Sequence, residues 1–369
     1  MFKSKNFYIL FIQILIAFTT FLILEISYRF LSKNDNIDLK VMLYQIGKNF
    51  KNEKDFIIYH PNQKIRHMTL FTKKEIKSLK DIIIETDYFI ETNNLGLVMK
   101  NEISQNDNVI LIIGDSFTEG QGDKPWFYKL EDTNYNQVKL MNLGIMGSGP
   151  MSWLSLTNYV KNKNKLKIEG AVINIILPDL VREKWIHNKK QIDCLKNGLC
   201  NYRGAFQGVD FNKLSSYDEI KNYEFINRNR KIGAGNDIKN NEDFLSFIKS
   251  ILKQSKLLKD IYYGFIKKNF INTEIYRNNL NAILKINQIS KNNLFINIIS
   301  TKKVNFNNYK SKDIYNDFIE FLNIKKIGYS WCEINSEGFH KYDDHPNSIG
   351  YEKVIKCTSK AISNLKNIN

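Results

Sequence analysis

Five short apolar runs punctuate the chain: VILII (109–113), VKLMNL (138–143), AVINII (171–176), LFINII (294–299) and, more weakly, IGYSWCEI (327–334). Each has the length of a strand. Helix-like stretches lie between them. MSWLSLTNYVKN follows the second run, and DFLSFIKSILKQSKLLKDIYYGFIKK carries apolar residues at i, i+3, i+4 and i+7. Strands alternating with helices predict an α/β domain built on a parallel sheet covered on both faces. Residues 181–240 break the rhythm and read as a long, polar, Asn-rich insertion over one rim of that sheet. Residues 31–95 read as a polar stem or lead-in with aromatic patches (NFKNEKDFIIYHPNQ) and no assignable fold. No internal repeat is present.

The N-terminus has a different pattern. After two lysines, residues 7–24 are almost free of polar side chains. As a helix, 18 residues span about 27 Å, close to the hydrocarbon thickness of a bilayer. No small-residue cleavage site follows the run, so it reads as an uncleaved membrane anchor over 1–30 rather than a signal peptide. Basic residues flank it on both sides and leave its orientation undecided. The expected organisation is an anchor at 1–30, a lead-in at 31–95 and one α/β domain at 96–369.

Composition changes this picture little. The chain has 369 residues, 43% of them hydrophobic and 13% aromatic, enough for a packed core. Its net charge of +16 is spread along the whole length, without a basic block or a nucleic-acid-binding motif, so no nucleic-acid partner is expected. Cys194 and Cys200 lie six apart in a polar loop, as a disulfide pair or as two free thiols. No second Cys or His pair nearby suggests zinc. Cys332 and Cys357 read as buried thiols.

In an open parallel sheet, ligands bind beyond the carboxyl ends of the strands. The residues there carry the candidate chemistry. Gly114-Asp115-Ser116 follows the first run, Gly144 and IMGSGP the second, Pro178-Asp179 the third. A serine hydroxyl needs a base to take its proton, and a histidine base needs an acceptor to fix its tautomer. Of the five histidines, only His345 is flanked by carboxylates, Asp343 and Asp344, and set before a helix start at Pro346-Asn347. Ser116 also suits a plain helix cap.

The three blocks GDSFTEG, NLGIMGSGP and DDHPNSIGY resemble, in order and spacing, the first, second and last blocks of the SGNH/GDSL hydrolase superfamily. ETNNLGLVMK, LEISYRF and NIISTKKVNF resemble the lead-in, the post-anchor stem and the fourth strand of its membrane-anchored bacterial members. The resemblance covers roughly residues 90–365 apart from the insertion. It implies a flavodoxin-like three-layer α/β/α sandwich and ester hydrolysis or acyl transfer. It implies Ser116 as nucleophile, His345 as general base and Asp343 as its orienting acid, with Asp344 as the fallback. It implies an oxyanion hole made by the amides of Ser116 and Gly144. The family's third block ends its strand in Asn-Asp, and that Asn is a third oxyanion donor. Here Pro178 stands in its place, followed by Asp179, which reads as a helix cap or, alternatively, as a catalytic acid. GAGND (233–237) repeats the missing motif as text only, and Asn174 reads as a core residue. Trp126, Trp153 and Trp185 read as core, Trp185 alternatively as a glycan platform.

The expected protein is thus a single-pass membrane protein with an extracytoplasmic esterase or O-acyltransferase domain. Its expected substrate is an acyl, in particular acetyl, ester of an envelope glycan or lipid, with no metal and no cofactor. A non-catalytic protein of the same fold that binds an acylated glycan is the rival, and Pro178 is its argument.

Overall fold

In a computed structural model, the described residues are 12–13, 16, 18–27, 37–44, 50–53, 56–73, 82–133, 138–184, 273–302 and 313–365. Two compact units are distinguished: Met1–Ile37 with Ala234–Ile271, and Asp38–Gly233 with Asn272–Asn369. In the first, residues 18–27 are helical, and Phe18, Leu22, Ile23, Leu24 and Ile26 are exposed. Among the described residues, no helix is long and apolar enough to cross a membrane. Most of the expected span at 7–24 lies outside them, as do Cys194, Cys200, Trp185, GAGND and nearly all of the 181–240 insertion.

The second unit holds the parallel sheet. Its strands are β6 (Asn108–Gly114), β7 (Lys139–Gly144), β8 (Lys167–Ile175), β9 (Leu294–Ile299) and β10 (Gly328–Cys332). All five apolar runs became strands. Their spatial order is β10-β9-β8-β6-β7, with every pair parallel. Counted within the sheet this is 2-1-3-4-5, the flavodoxin-like order, which reverses direction beside β6. From Val109 onward every residue of β6 is buried, because helices cover both faces.

Helix α1 (Ser116–Glu119) is a single turn, and α2 (Phe127–Leu130) follows it. Helix α3 (Pro150–Asn164) has Gly149 as its N-cap and a proline in its first turn, where the missing N–H costs nothing. Helices α4 (Thr273–Ile289), α5 (Asp313–Ile324) and α6 (Ser348–Ser363) complete the cover. Asn347 caps α6, its side chain accepting the amides of Ile349 and Gly350.

One polar row crosses this apolar sheet. Asn174, Asn297 and Ser330 lie in register on β8, β9 and β10. Asn297 donates to Asn174 Oδ1 at 2.9 Å, Ser330 donates to Asn297 Oδ1 at 2.9 Å, and Asn174 meets Thr358 of α6 at 3.3 Å. Asn174 is therefore a core residue, as read from the sequence, and it is hydrogen-bonded there.

The cysteine reading needs correction. Cys332, at the end of edge strand β10, and Cys357, on α6, form a disulfide with a Cα–Cα distance of 5.8 Å. The sequence shows two isolated cysteines 25 apart. The packing of α6 on β10 brings them face to face.

The lead-in carries five strands: β1 (Ile37–Tyr44), β2 (Phe50–Glu53), β3 (Phe56–Tyr59), β4 (Lys64–Lys73) and β5 (Ile82–Glu91). They form a three-stranded sheet, β1-β4-β5, and a hairpin, β2-β3. β3 is buried throughout, and Phe56 and Ile58 belong to the same core as the parallel sheet. The β4–β5 ladder is antiparallel and pairs Thr69 with Thr86 and then Leu70 with Ile84, so Glu85 is left over as a bulge.

Candidate active site

The turn after β6 is tightly organised. Asp115 is the N-cap of α1: its Oδ1 accepts the Phe117 amide at 2.9 Å, and its carbonyl accepts the amides of Thr118 and Glu119. Ser116 is thereby fixed as the first residue of the helix. Its own amide has no hydrogen-bond partner among the described residues, as expected for a first-turn N–H.

The last turn before α6 supplies the histidine. His345 Nε2 lies 2.9 Å from Ser116 Oγ, and His345 Nδ1 lies 2.9 Å from Asp343 Oδ1. Residues 229 positions apart thus form one hydrogen-bonded line. Asp343 is fully buried, whereas Asp344 is exposed, so the structure selects Asp343 as the partner of His345. The Phe117 ring lies against the imidazole, with a centroid distance of 5.6 Å. An N–H on Nδ1 directed at the carboxylate leaves the Nε2 lone pair for the serine proton, the arrangement of a general base and its nucleophile.

The amide of Gly144, which the resemblance implies as the second oxyanion donor, is engaged within the strand turn. Gly144 is still part of β7, and its amide donates to Asn142 Oδ1 at 2.8 Å. The glycine is needed for packing: a Cβ there would lie 2.2 Å from Glu119 N and 2.4 Å from Thr118 C, inside α1. Ile145 N–H bonds to Gly114 O, Met146 N–H to Glu119 Oε2, Ser148 N–H to Ile145 O and Gly149 N–H to Lys184 O. Among the amides of 145–149, only that of Gly147 has no partner among the described residues. Gly147 is buried at φ +65°, a conformation that suits glycine.

Pro178 begins the third loop. Leu177–Val181 is a 3-10 turn in which Asp179 is fully buried and its Oδ2 accepts the Ile176 amide at 3.1 Å. Asp179 also pairs with Arg182 at 2.8 Å. Burial, and then the neighbouring Asp115, hold its carboxyl well above the ordinary carboxylate range. Asp179 is thus a turn cap and ion-pair member, with no contact to His345. Trp126 and Trp153 are buried, their indoles donating to Phe117 O and Ser148 Oγ, so both are core residues.

Several residues that support the site were missed in the sequence. Glu85, the bulge residue, accepts the backbone amides of Tyr342 and Asp343 at 2.6 and 2.7 Å. Lys302 Nζ bonds to the carbonyls of His340 and Lys341 in the same loop. Glu119 is buried between Tyr59 O–H and Met146 N–H, tying the hairpin to the turn that carries Gly147. Burial raises its carboxyl to about 7, against the pull of those two donors. Tyr88 accepts the Gly122 amide at 2.9 Å and contacts His67 Nδ1. Glu85 and Tyr88 lie outside the quoted blocks, and Glu119 and Lys302 fall inside GDSFTEG and NIISTKKVNF without a role assigned to them. The stretch IIIETDYFIE holds three carboxylates, Glu85, Asp87 and Glu91, and nothing in it singles out Glu85.

The fold and the site together define an α/β protein with a Ser-His-Asp line at the carboxyl edge of a parallel sheet. No family model matches the chain, and no curated protein matches it. Solved structures of SGNH/GDSL hydrolases resemble it. A catalytic mutant of the acetylxylan esterase Axe2 from Geobacillus stearothermophilus is 9% identical, covering 70% of this chain and 95% of that one at a TM-score of 0.35. The psychrotrophic esterase EstA from Pseudoalteromonas sp. is 12% identical, covering 70% and 100% at a TM-score of 0.34. A lipolytic G-D-S-L family protein from Veillonella parvula is 10% identical, covering 70% and 100% at a TM-score of 0.33.

Proposed function

We propose that this chain is a serine esterase or O-acyltransferase of the SGNH type, acting through an acyl-enzyme on Ser116. The observation that carries the reading is the unbroken line Ser116–His345–Asp343, with both contacts at 2.9 Å. His345 Nε2 takes the hydroxyl proton as Oγ attacks the ester carbonyl. The oxyanion so formed is received by the amides of Ser116 and Gly147, which have no hydrogen-bond partner among the described residues. The protonated imidazole, steadied by Asp343, then gives its proton to the leaving alcohol. Water or a sugar hydroxyl attacks the acyl-enzyme in the reverse sense, which separates a hydrolase from a transferase by acceptor alone.

The proposed setting is the cell envelope, with the site extracytoplasmic and the chain anchored by its N-terminal helix. The apolar run at 7–24 and the exposed apolar side chains of 18–27 support an anchor. The Cys332–Cys357 disulfide suits an oxidising compartment. The proposed substrates are acyl esters of an envelope glycan or lipid. A binding protein without catalysis is favoured by Pro178 alone, which presents neither an N–H nor a side-chain amide to the site.

The test is labelling of the full chain with a fluorophosphonate probe, beside Ser116→Ala and His345→Ala. The wild type is expected to label and both variants to stay unlabelled. A folded wild-type chain that never labels overturns the esterase reading.

A further inference from the structure

Three loops at the carboxyl edge of the sheet converge on one guanidinium. Arg182 follows the 3-10 turn after β8, and its side chain is 12% exposed. Its Nη1 donates to Ser148 O at 2.8 Å and to Asp115 Oδ2 at 3.2 Å, and it forms an ion pair with Asp179 Oδ1 at 2.8 Å. Each partner sits in a different loop. Asp115, after β6, uses its other oxygen to cap the nucleophile helix. Ser148, after β7, directly follows Gly147. Asp179, after β8, directly follows Pro178.

The arginine's own backbone is held as well. Asn279 of α4, fully buried, donates through Nδ2 to the carbonyls of Arg182, Leu180 and Asp179 at 2.8, 3.0 and 3.3 Å. Gly149 packs against the same segment. A Cβ there would lie 2.7 Å from Glu183 O and 3.4 Å from Arg182 Cβ. A buried ion pair is costly to desolvate and is weak evidence for stability, so its geometry is the more informative feature. All three contacts fall on the single nitrogen Nη1. A lysine ammonium also has three N–H donors, but it sits on a flexible stem, whereas the guanidinium holds its donors in one fixed plane.

We propose that Arg182 is a positioning residue that clasps the nucleophile turn to the turn bearing the Gly147 amide, on the side of the site where Pro178 supplies no donor. The inference rests on the esterase reading above for its catalytic consequence, but its structural content stands separately. With the clasp removed, Ser116 and the Gly147 amide lose their fixed separation. A misplacement on the order of 1 Å costs about 10²-fold in rate.

The test uses the full chain with Arg182→Met and Arg182→Lys, followed by fluorophosphonate inactivation kinetics and amide hydrogen exchange. Arg182→Met is expected to lower kinact by about 10²-fold while leaving the half-saturating probe concentration within about threefold. Exchange is expected to quicken about tenfold in segments 115–120, 144–149 and 176–182 together, but not in β5. Arg182→Lys is expected to recover only part of both losses. An unchanged kinact in a folded Met variant, or faster exchange confined to 176–182, overturns the proposal. If Arg182→Met exchanges throughout its length, the folded Lys variant decides: unchanged kinact and exchange there overturn it too. If the wild type never labels, the esterase reading fails by itself, and the three-segment exchange pattern still decides whether Arg182 is a clasp.

Discussion

Glu85 holds Asp343 by its backbone: the Glu85 carboxylate accepts the Asp343 amide at 2.7 Å and that of Tyr342 at 2.6 Å. The bulge at Glu85 turns this side chain out of the β4–β5 ladder towards the loop that carries the His345 partner. Glu85→Ala is therefore expected to lower the fluorophosphonate labelling rate by about tenfold or more, with little loss of stability. Glu85→Gln, which retains one acceptor oxygen, should fall between that variant and the wild type. Equal labelling rates for all three proteins would remove Glu85 from the site.

Asp343→Asn tests the line itself. An amide in place of the carboxylate favours the wrong imidazole tautomer and no longer steadies the imidazolium. Labelling is expected to slow by about 10²–10⁴-fold. Asp344→Asn, at an exposed position, should label like the wild type. The reverse ranking of the two variants would shift the acid to Asp344.

The two glycines of NLGIMGSGP should behave differently. At Gly144 a Cβ would enter α1, so Gly144→Ala is expected to lower unfolding free energy by about 1–3 kcal/mol or more through overpacking. Gly147→Ala should retain more of that stability and cost about 1 kcal/mol for its positive φ. Denaturant melts of both variants measure the difference. A Gly144→Ala protein as stable as the wild type would contradict the close packing of β7 on α1.

Glu119 predicts a pH dependence. Its folded carboxyl sits near 7, against 4.5 ordinarily, because burial disfavours the charged form. The folded state therefore binds the proton more tightly than the unfolded one. This contribution is complete below about pH 4.5 and is lost as pH rises through about 7, on the order of 3 kcal/mol in all. Glu119→Gln removes the titration and should flatten that part of the stability profile. It should also cost about 1–3 kcal/mol at low pH, since the amide keeps one oxygen and either Tyr59 or Met146 loses its bond to residue 119. Urea unfolding at pH 5 and pH 8 checks the sign. The same pH 5-to-8 difference in variant and wild type would exclude Glu119 as its source.

The Cys332–Cys357 bond closes a loop with a sequence separation of 25 residues. Chain-entropy arguments give it a contribution of about 3 kcal/mol. The double Cys→Ala variant is expected to show a correspondingly lower denaturant midpoint, while a chain already treated with reductant should lose nothing further by mutation. A midpoint equal to that of the oxidised wild type would show that the two thiols are unpaired in solution.

Much of this was legible in the chain because it is written locally. Short apolar runs marked all five parallel strands, Ser116 lies just past the first of them, and Asp343 and His345 lie a loop beyond the last. What stayed hidden depends on register and packing. Whether Gly144 or Gly147 offers an amide turns on how far β7 extends, which NLGIMGSGP does not state. Glu85 lies in a lead-in that reads as having no assignable fold, and its bulge exists only in the register of β4 with β5. Arg182 acquires its role only when three loops from separate strands meet. Cys332 and Cys357 look unrelated until α6 lies down on β10.

The polar row across the sheet bears on how the chain finds its register. β8 ends at Ile175 and β9 begins at Leu294, so no tight turn aligns them, and their apolar faces alone would tolerate a slip. Asn174 and Asn297 remove that freedom. Displaced by one residue, each amide would point into the opposite apolar layer without a partner, at about 1–3 kcal/mol apiece. The row thus acts as an alignment mark. Removing it with Asn174→Leu and Asn297→Leu together should leave a stable core that can assemble in more than one register.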